Sequence, residues 1–110
     1  MKLIKAYVRT FMADKVISAL KEIETPRISA IDVKALGDEV HEGQLEISPE
    51  LGSTYTTMVK IEIISPDECV EGIKKTILKN ARTGHKGDGI IAVSPVDEAI
   101  NIRTGNHKKP

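Results

Sequence analysis

Two features predict an α+β fold built from two βαβ halves. Segments of strict apolar–polar alternation flank each of two amphipathic stretches, and the two β-α-β units so formed have similar lengths. Their order, βαββαβ with a long interruption in the middle, matches the split βαβ or ferredoxin-like arrangement. In it an antiparallel sheet carries both helices on one face.

Ile4, Ala6 and Val8 alternate with Lys5, Tyr7 and Arg9, so residues 2–9 read as a half-buried first strand. Val16, Ala19, Leu20 and Ile23 follow helical spacing and put one apolar stripe on a helix over 13–24. Thr25-Pro26 should end it, because proline disfavours helical geometry in the residue before it. Residues 27–36 return to alternation, with Ile31, Val33 and Ala35 on one face and Asp32 and Lys34 on the other. A third strand is expected over Met58 to Ile64, with Val59, Ile61 and Ile63 set against Lys60 and Glu62.

Ser65-Pro66-Asp67-Glu68 then reads as a helix start. The serine would cap, the proline suit the first helical position, and Glu68 close a capping box. The second helix should turn Cys69, Val70, Ile73, Ile77 and Ala81 inward. A glycine turn, a fourth strand at about 90–94 and a short closing segment through Ile102 and Arg103 complete the chain. The uncovered face of the sheet would show Tyr7, Met58 and Ile64 beside charged residues, a mixture suited to self-association.

Residues 37–57 break the pattern. Gly37, Gly43, Pro49 and Gly52 punctuate them, and a loop of this length is usually functional or disordered. Between Lys34 and Lys60 there is no Lys or Arg, while Asp38, Glu39, Glu42, Glu46 and Glu50 are acidic. Three readings stand: a solvated excursion, an arm that docks on a basic partner, or a cation site using His41 and nearby carboxylates.

Composition excludes several functions. The 110 residues, 40% hydrophobic and 29% charged, suit a single globular domain with a modest core. Phe11, Tyr7 and Tyr55 are the only aromatics, so the core must be aliphatic and stacking platforms for single-stranded nucleic acid are lacking. Sixteen basic and sixteen acidic residues cancel, leaving no footprint for duplex DNA. No nucleic-acid partner is expected. One cysteine, Cys69, rules out an intrachain disulfide and fits a reducing cytoplasm. No apolar run reaches membrane-spanning length, so no direct membrane insertion is expected. No nucleophile sits beside a base at a recognisable spacing, and no P-loop lysine motif is present, so the chain does not read as an enzyme.

The most informative stretch is Thr83-Gly84-His85-Lys86-Gly87-Asp88-Gly89. Glycines can turn successive N–H groups toward one point, and such a nest suits an anion such as phosphate. Arg103, in Ile102-Arg103-Thr104-Gly105, could meet the same anion.

Thr83-Gly84-x-x-Gly87-Asp88-Gly89 followed at this spacing by Arg103-Thr104-Gly105, with a long loop after the second strand, resembles the PII signal-transduction (nitrogen regulatory protein P-II) family. The likeness runs from Met1 to about Gly105. It implies one PII-like domain over 1–105, a T-loop at 37–57, a B-loop at 82–90 and a flexible tail at 106–110. It implies a homotrimer with adenine-nucleotide sites in the clefts between subunits, and a protein target, such as a membrane transporter, channel or nitrogen-metabolism enzyme, gripped through the T-loop. Carried over by position, Gly87, Asp88 and Gly89 would offer amides to phosphates and Arg103 would add charge. Ile28, Ser29 and Ile64 would border the adenine, and Gly37 would lie at the T-loop root.

The departures from that family suggest a divergent, PII-like member. Ile90 and Asn101 stand where the family usually has a lysine and an arginine. Each lost charge-assisted contact is worth about 1.5–3 kcal/mol. A shift from ATP toward ADP, AMP or cyclic AMP, or weak binding altogether, is therefore expected. Glu39 and Met58 replace the glutamine and lysine that serve 2-oxoglutarate, and Leu51 and Glu46 leave no uridylylation tyrosine. Neither property is expected. An alternative is a metal-binding, CutA-like trimer or metal-efflux-associated regulator, with His41, His85, His107, Met12, Met58 and Cys69 as scattered potential ligands.

Overall fold

The computed structural model describes residues 1–37, 46–48 and 53–107. Strand β1 (Lys2–Arg9) leads through a 3-10 turn (Thr10–Met12) into helix α1 (Ala13–Glu22) and strand β2 (Ser29–Ala35). Strands β3 (Glu46–Ser48) and β4 (Ser53–Ser65) follow, then a 3-10 turn (Asp67–Cys69), helix α2 (Val70–Ala81) and strand β5 (Gly89–Pro95). The sheet order is β2-β4-β1-β5, every pairing antiparallel, with β3 joined to the start of β4. This is the ferredoxin-like α+β fold that the sequence predicts.

Register decides the two faces, because side chains alternate with period two. Ile4, Ala6 and Val8 stand opposite Ile63, Ile61 and Val59 on β4, and all six are buried on the helix side. Val16 and Leu20 of α1 and Ile73, Ile77 and Ala81 of α2 close over them. This core is aliphatic throughout. The open face carries Tyr7, Met58, Lys60, Glu62 and Ile64, and on β2 it also carries Ile31, Val33 and Ala35, which pair with Lys60, Met58 and Thr56. Lys60 and Glu62 form an ion pair there, 3.1 Å apart.

Four local expectations are corrected. The stop of α1 is set before Pro26. Thr25 N–H donates to Leu20 O at 3.2 Å and Glu24 N–H to Lys21 O at 3.0 Å, with Glu24 in the left-handed region at φ 60°. That is a Schellman cap, a motif in which glycine is the favoured residue. Glu24→Gly is therefore expected to raise stability by about 0.5–1 kcal/mol in urea denaturation. A destabilised variant would mean that Glu24 makes a compensating contact.

The capping box before α2 does not form. Ser65 is the last residue of β4, paired with Lys2 and only 2% exposed, and its hydroxyl donates to Pro66 O at 2.8 Å. The strand claims the serine, so a 3-10 turn starts the helix instead. Cys69, in that turn, is exposed rather than inward-facing. Strand β4 begins at Ser53, well before Met58, and pairs with Glu46–Ser48 inside the expected loop. Thr54, Tyr55, Thr56 and Thr57 are strand formers by shape, but they show no hydrophobic alternation. Residues 38–45 and 49–52, including His41, Glu39 and Leu51, lie outside the described residues. Among the described residues no helix is long and apolar enough to cross a membrane.

Candidate functional site

Three strand ends converge at one edge of the open face. Val8 pairs with both Val59 and Gly89, Arg9 pairs with Met58, and Ala35 pairs with Thr56. The ends of β1 and β2 and the start of β5 therefore lie together around the middle of β4. Their recess is about 480 Å³, lined by Tyr7, Ala35, Leu36, Met58 and residues 85–90. Gly37, which directly follows Leu36, has φ 113°. Leu36, the residue before the expected T-loop root, and the glycine turn thus line one cleft.

The turn is built around Asp88. Its Oδ2 accepts the N–H groups of Thr83 and Gly84, both at 2.8 Å, while Oδ1 accepts the Thr83 hydroxyl and, at 2.9 Å, Arg9 Nε. Arg9 Nη2 donates to the Lys86 carbonyl at 2.9 Å. Burial pushes the Asp88 carboxyl up, but the Thr83 hydroxyl, Arg9 and the two amides outweigh it and hold it well below the usual carboxylate range. Asp88 therefore stays an anion and fills part of the amide nest itself. Its side chain shapes the loop from within.

Gly84 and Gly87 adopt φ 87° and 97°, which let the chain fold back around that carboxylate. Gly89 has φ 114° and lies so near β1 that a Cβ would sit 1.7 Å from Tyr7 O. Ile90 is 64% exposed on the cleft wall, and His85 and Lys86 supply the basic side chains of the lining.

The remaining expected site residues lie elsewhere in the chain. Ile64 pairs with Leu3, whereas Gly89 pairs with Val8, so the two are five residues apart along β1, about 17 Å. Ser29 pairs with Glu62 at the far side of the sheet and is exposed, and Ile28 packs partly buried against the core. Arg103 is exposed in a turn that follows β5. Asn101 shapes that turn: its Oδ1 accepts Thr104 N–H at 3.1 Å and its carbonyl accepts Gly105 N–H at 2.8 Å. Asn106 and His107 belong to the turn too, through Asn101 N–H to Asn106 O and the Ile100–His107 bridge. Gly87, Asp88 and Gly89 thus line one recess whose wall includes Leu36, the residue before Gly37, while Ile28, Ser29 and Ile64 stand apart from it.

Sequence reasoning missed Arg9 and Thr83 as partners of Asp88. No local signal marks Arg9, whose partner is 79 positions away. Among the described residues no three His, Cys, Asp or Glu side chains group as a metal site.

The nitrogen regulatory protein P-II family model matches residues 1–106. Nitrogen regulatory protein P-II of Rhodobacter capsulatus is 38% identical over 105 residues, covering 96% of this chain and 94% of the relative. The Mesorhizobium japonicum protein and P-II 1 of Escherichia coli are each 37% identical with the same coverage. With the strand order, the glycine turn and a match of this extent in agreement, the chain belongs to the nitrogen regulatory protein P-II family.

Proposed function

We propose that this P-II protein is a regulator that binds an adenine nucleotide in clefts between the subunits of a homotrimer and signals through the 37–57 loop. The observation that carries this reading is the shared cleft. The glycine turn and Leu36, which leads into Gly37, wall the same recess. A phosphate chain held there would touch the root of the loop, and a ligand shifts a conformational equilibrium only where it contacts a part that differs between states. The distance between Gly89 and Ile64 supports the inter-subunit reading. A second copy would bring its own Ile28, Ser29, Ile64 and Arg103 to a cleft that already holds Leu36, Gly87, Asp88 and Gly89. The 37–57 loop, without a single Lys or Arg, suits a protein target with a basic surface, such as a transporter or channel.

The cleft's chemistry favours fewer phosphates. Ile90 adds an apolar wall, leaving His85 and Lys86 as the basic side chains of the lining. ADP, AMP or cyclic AMP is the preferred ligand in this reading. Met58 brings a thioether to the same lining and no charge for a dicarboxylate, so 2-oxoglutarate is not a co-ligand. The test is calorimetry with ATP, ADP, AMP and cyclic AMP, each with and without Mg²⁺ and 2-oxoglutarate. Saturable binding weakened by Arg103→Ala supports the proposal, and no binding to any of them overturns it. Ile90→Lys is expected to tighten ATP binding about tenfold or more, with a smaller gain for AMP, since one charge-assisted contact is worth about 1.5–3 kcal/mol. An equal gain for both nucleotides would show that position 90 does not face the phosphates.

A further inference from the structure

We infer that Arg9 is a positioning residue of the nucleotide cleft, acting through the loop that spans Thr83 to Asp88. Arg9 faces the open side of the sheet by strand parity, yet it is only 3% exposed. Its guanidinium lies 5.8 Å from the centre of the Phe11 ring, and its fork reaches two separate points of the loop. Nε donates to Asp88 Oδ1 and Nη2 to Lys86 O, both at 2.9 Å. Those two residues bracket Gly87, so one planar group fixes the peptides on either side of it.

The same pair settles the electrostatics of the cleft. A carboxylate beside a bound phosphate would repel it, and Arg9 offsets that charge from behind. Asp88 in turn holds the Thr83 and Gly84 amides, so the grip passes from β1 to the far end of the loop. Lysine could not replace this arrangement fully. An ammonium is a point charge without the rigid, planar fork that reaches both acceptors.

The inference rests on the nucleotide reading above, and the experiment separates the two. ADP and AMP affinities are measured by calorimetry, and amide exchange over 83–89 by mass spectrometry, for the wild-type chain, Arg9→Lys and Arg9→Met. Arg9→Met should weaken ADP about tenfold or more and accelerate exchange in the loop. The loss should be larger for ADP than for AMP, because the exposed Asp88 charge repels each added phosphate. A purely structural loosening would weaken both alike. Arg9→Lys should recover part of the affinity and most of the ADP-to-AMP ratio, while its loop still exchanges faster than wild type. Should Arg9→Met not fold, the lysine variant carries the test. Wild-type affinity and wild-type loop exchange in a folded variant overturn the inference alone. No nucleotide binding by the wild-type chain overturns the nucleotide reading and this inference with it.

Discussion

Gly89→Ala is expected to destabilise the chain by about 4 kcal/mol or more, at the extreme end of single substitutions. Two costs combine. The backbone sits at φ 114°, where an L side chain is strained, and the new Cβ would lie 1.7 Å from Tyr7 O and 2.8 Å from Tyr7 C. A flexible side chain could swing away, but a carbonyl in the β1–β5 ladder cannot move without disturbing the Tyr7–Ile90 and Val8–Gly89 pairings. Gly84→Ala is the control. It has a comparable φ of 87° but nothing within 4 Å of its Cβ, so it should cost only about 1 kcal/mol. Urea denaturation of both variants checks the difference. Equal midpoints would mean that β5 can shift away from β1 without penalty.

Asp88→Asn is expected to cost about 2–4 kcal/mol, since it leaves the Arg9 guanidinium in a buried setting without its counter-charge. The asparagine keeps one acceptor oxygen and turns its NH2 either toward Arg9 Nε and the Thr83 hydroxyl or toward the Thr83 and Gly84 amides, donor against donor. Acid should reveal the same interaction in the wild-type chain. The folded-state pKa of Asp88 is depressed, so its contribution is fully present above the ordinary carboxylate range. It is lost progressively as pH falls below about 4, where the unfolded chain takes up the proton first. The urea midpoint should therefore fall from pH 6 to pH 3 more steeply in wild type than in Asp88→Asn. Asp67 and Glu71 are also held low, by the N-terminal ammonium and Lys74, but both are exposed, so solvent screens those pairs. Parallel curves for the two proteins would refute the assignment.

Much of this architecture was legible because it is periodic. Alternation in β1, β2 and β4 identified which residues share a face, and helical spacing identified Val16, Leu20, Ile73 and Ile77 as core. What escaped was non-local or locally ambiguous. Ser65 could serve a helix cap or a strand, and its pairing with Lys2 of β1 decided the matter. Glu24 ends α1 in a conformation that glycine, not glutamate, would advertise. The cleft was half legible: the glycine motif located the loop, but Arg9 reads as an ordinary polar position until the fold brings Asp88 beside it.

Asp88 also bears on the speed of recognition. A loop that presents its own carboxylate to its own amides has already lost its conformational freedom before a ligand arrives. On the proposed nucleotide reading, ligand capture would then resemble the docking of a rigid surface rather than folding upon contact. Its association rate constants should stay within a narrow range across related nucleotides, and the differences among ADP, AMP and ATP should appear in how long each one stays.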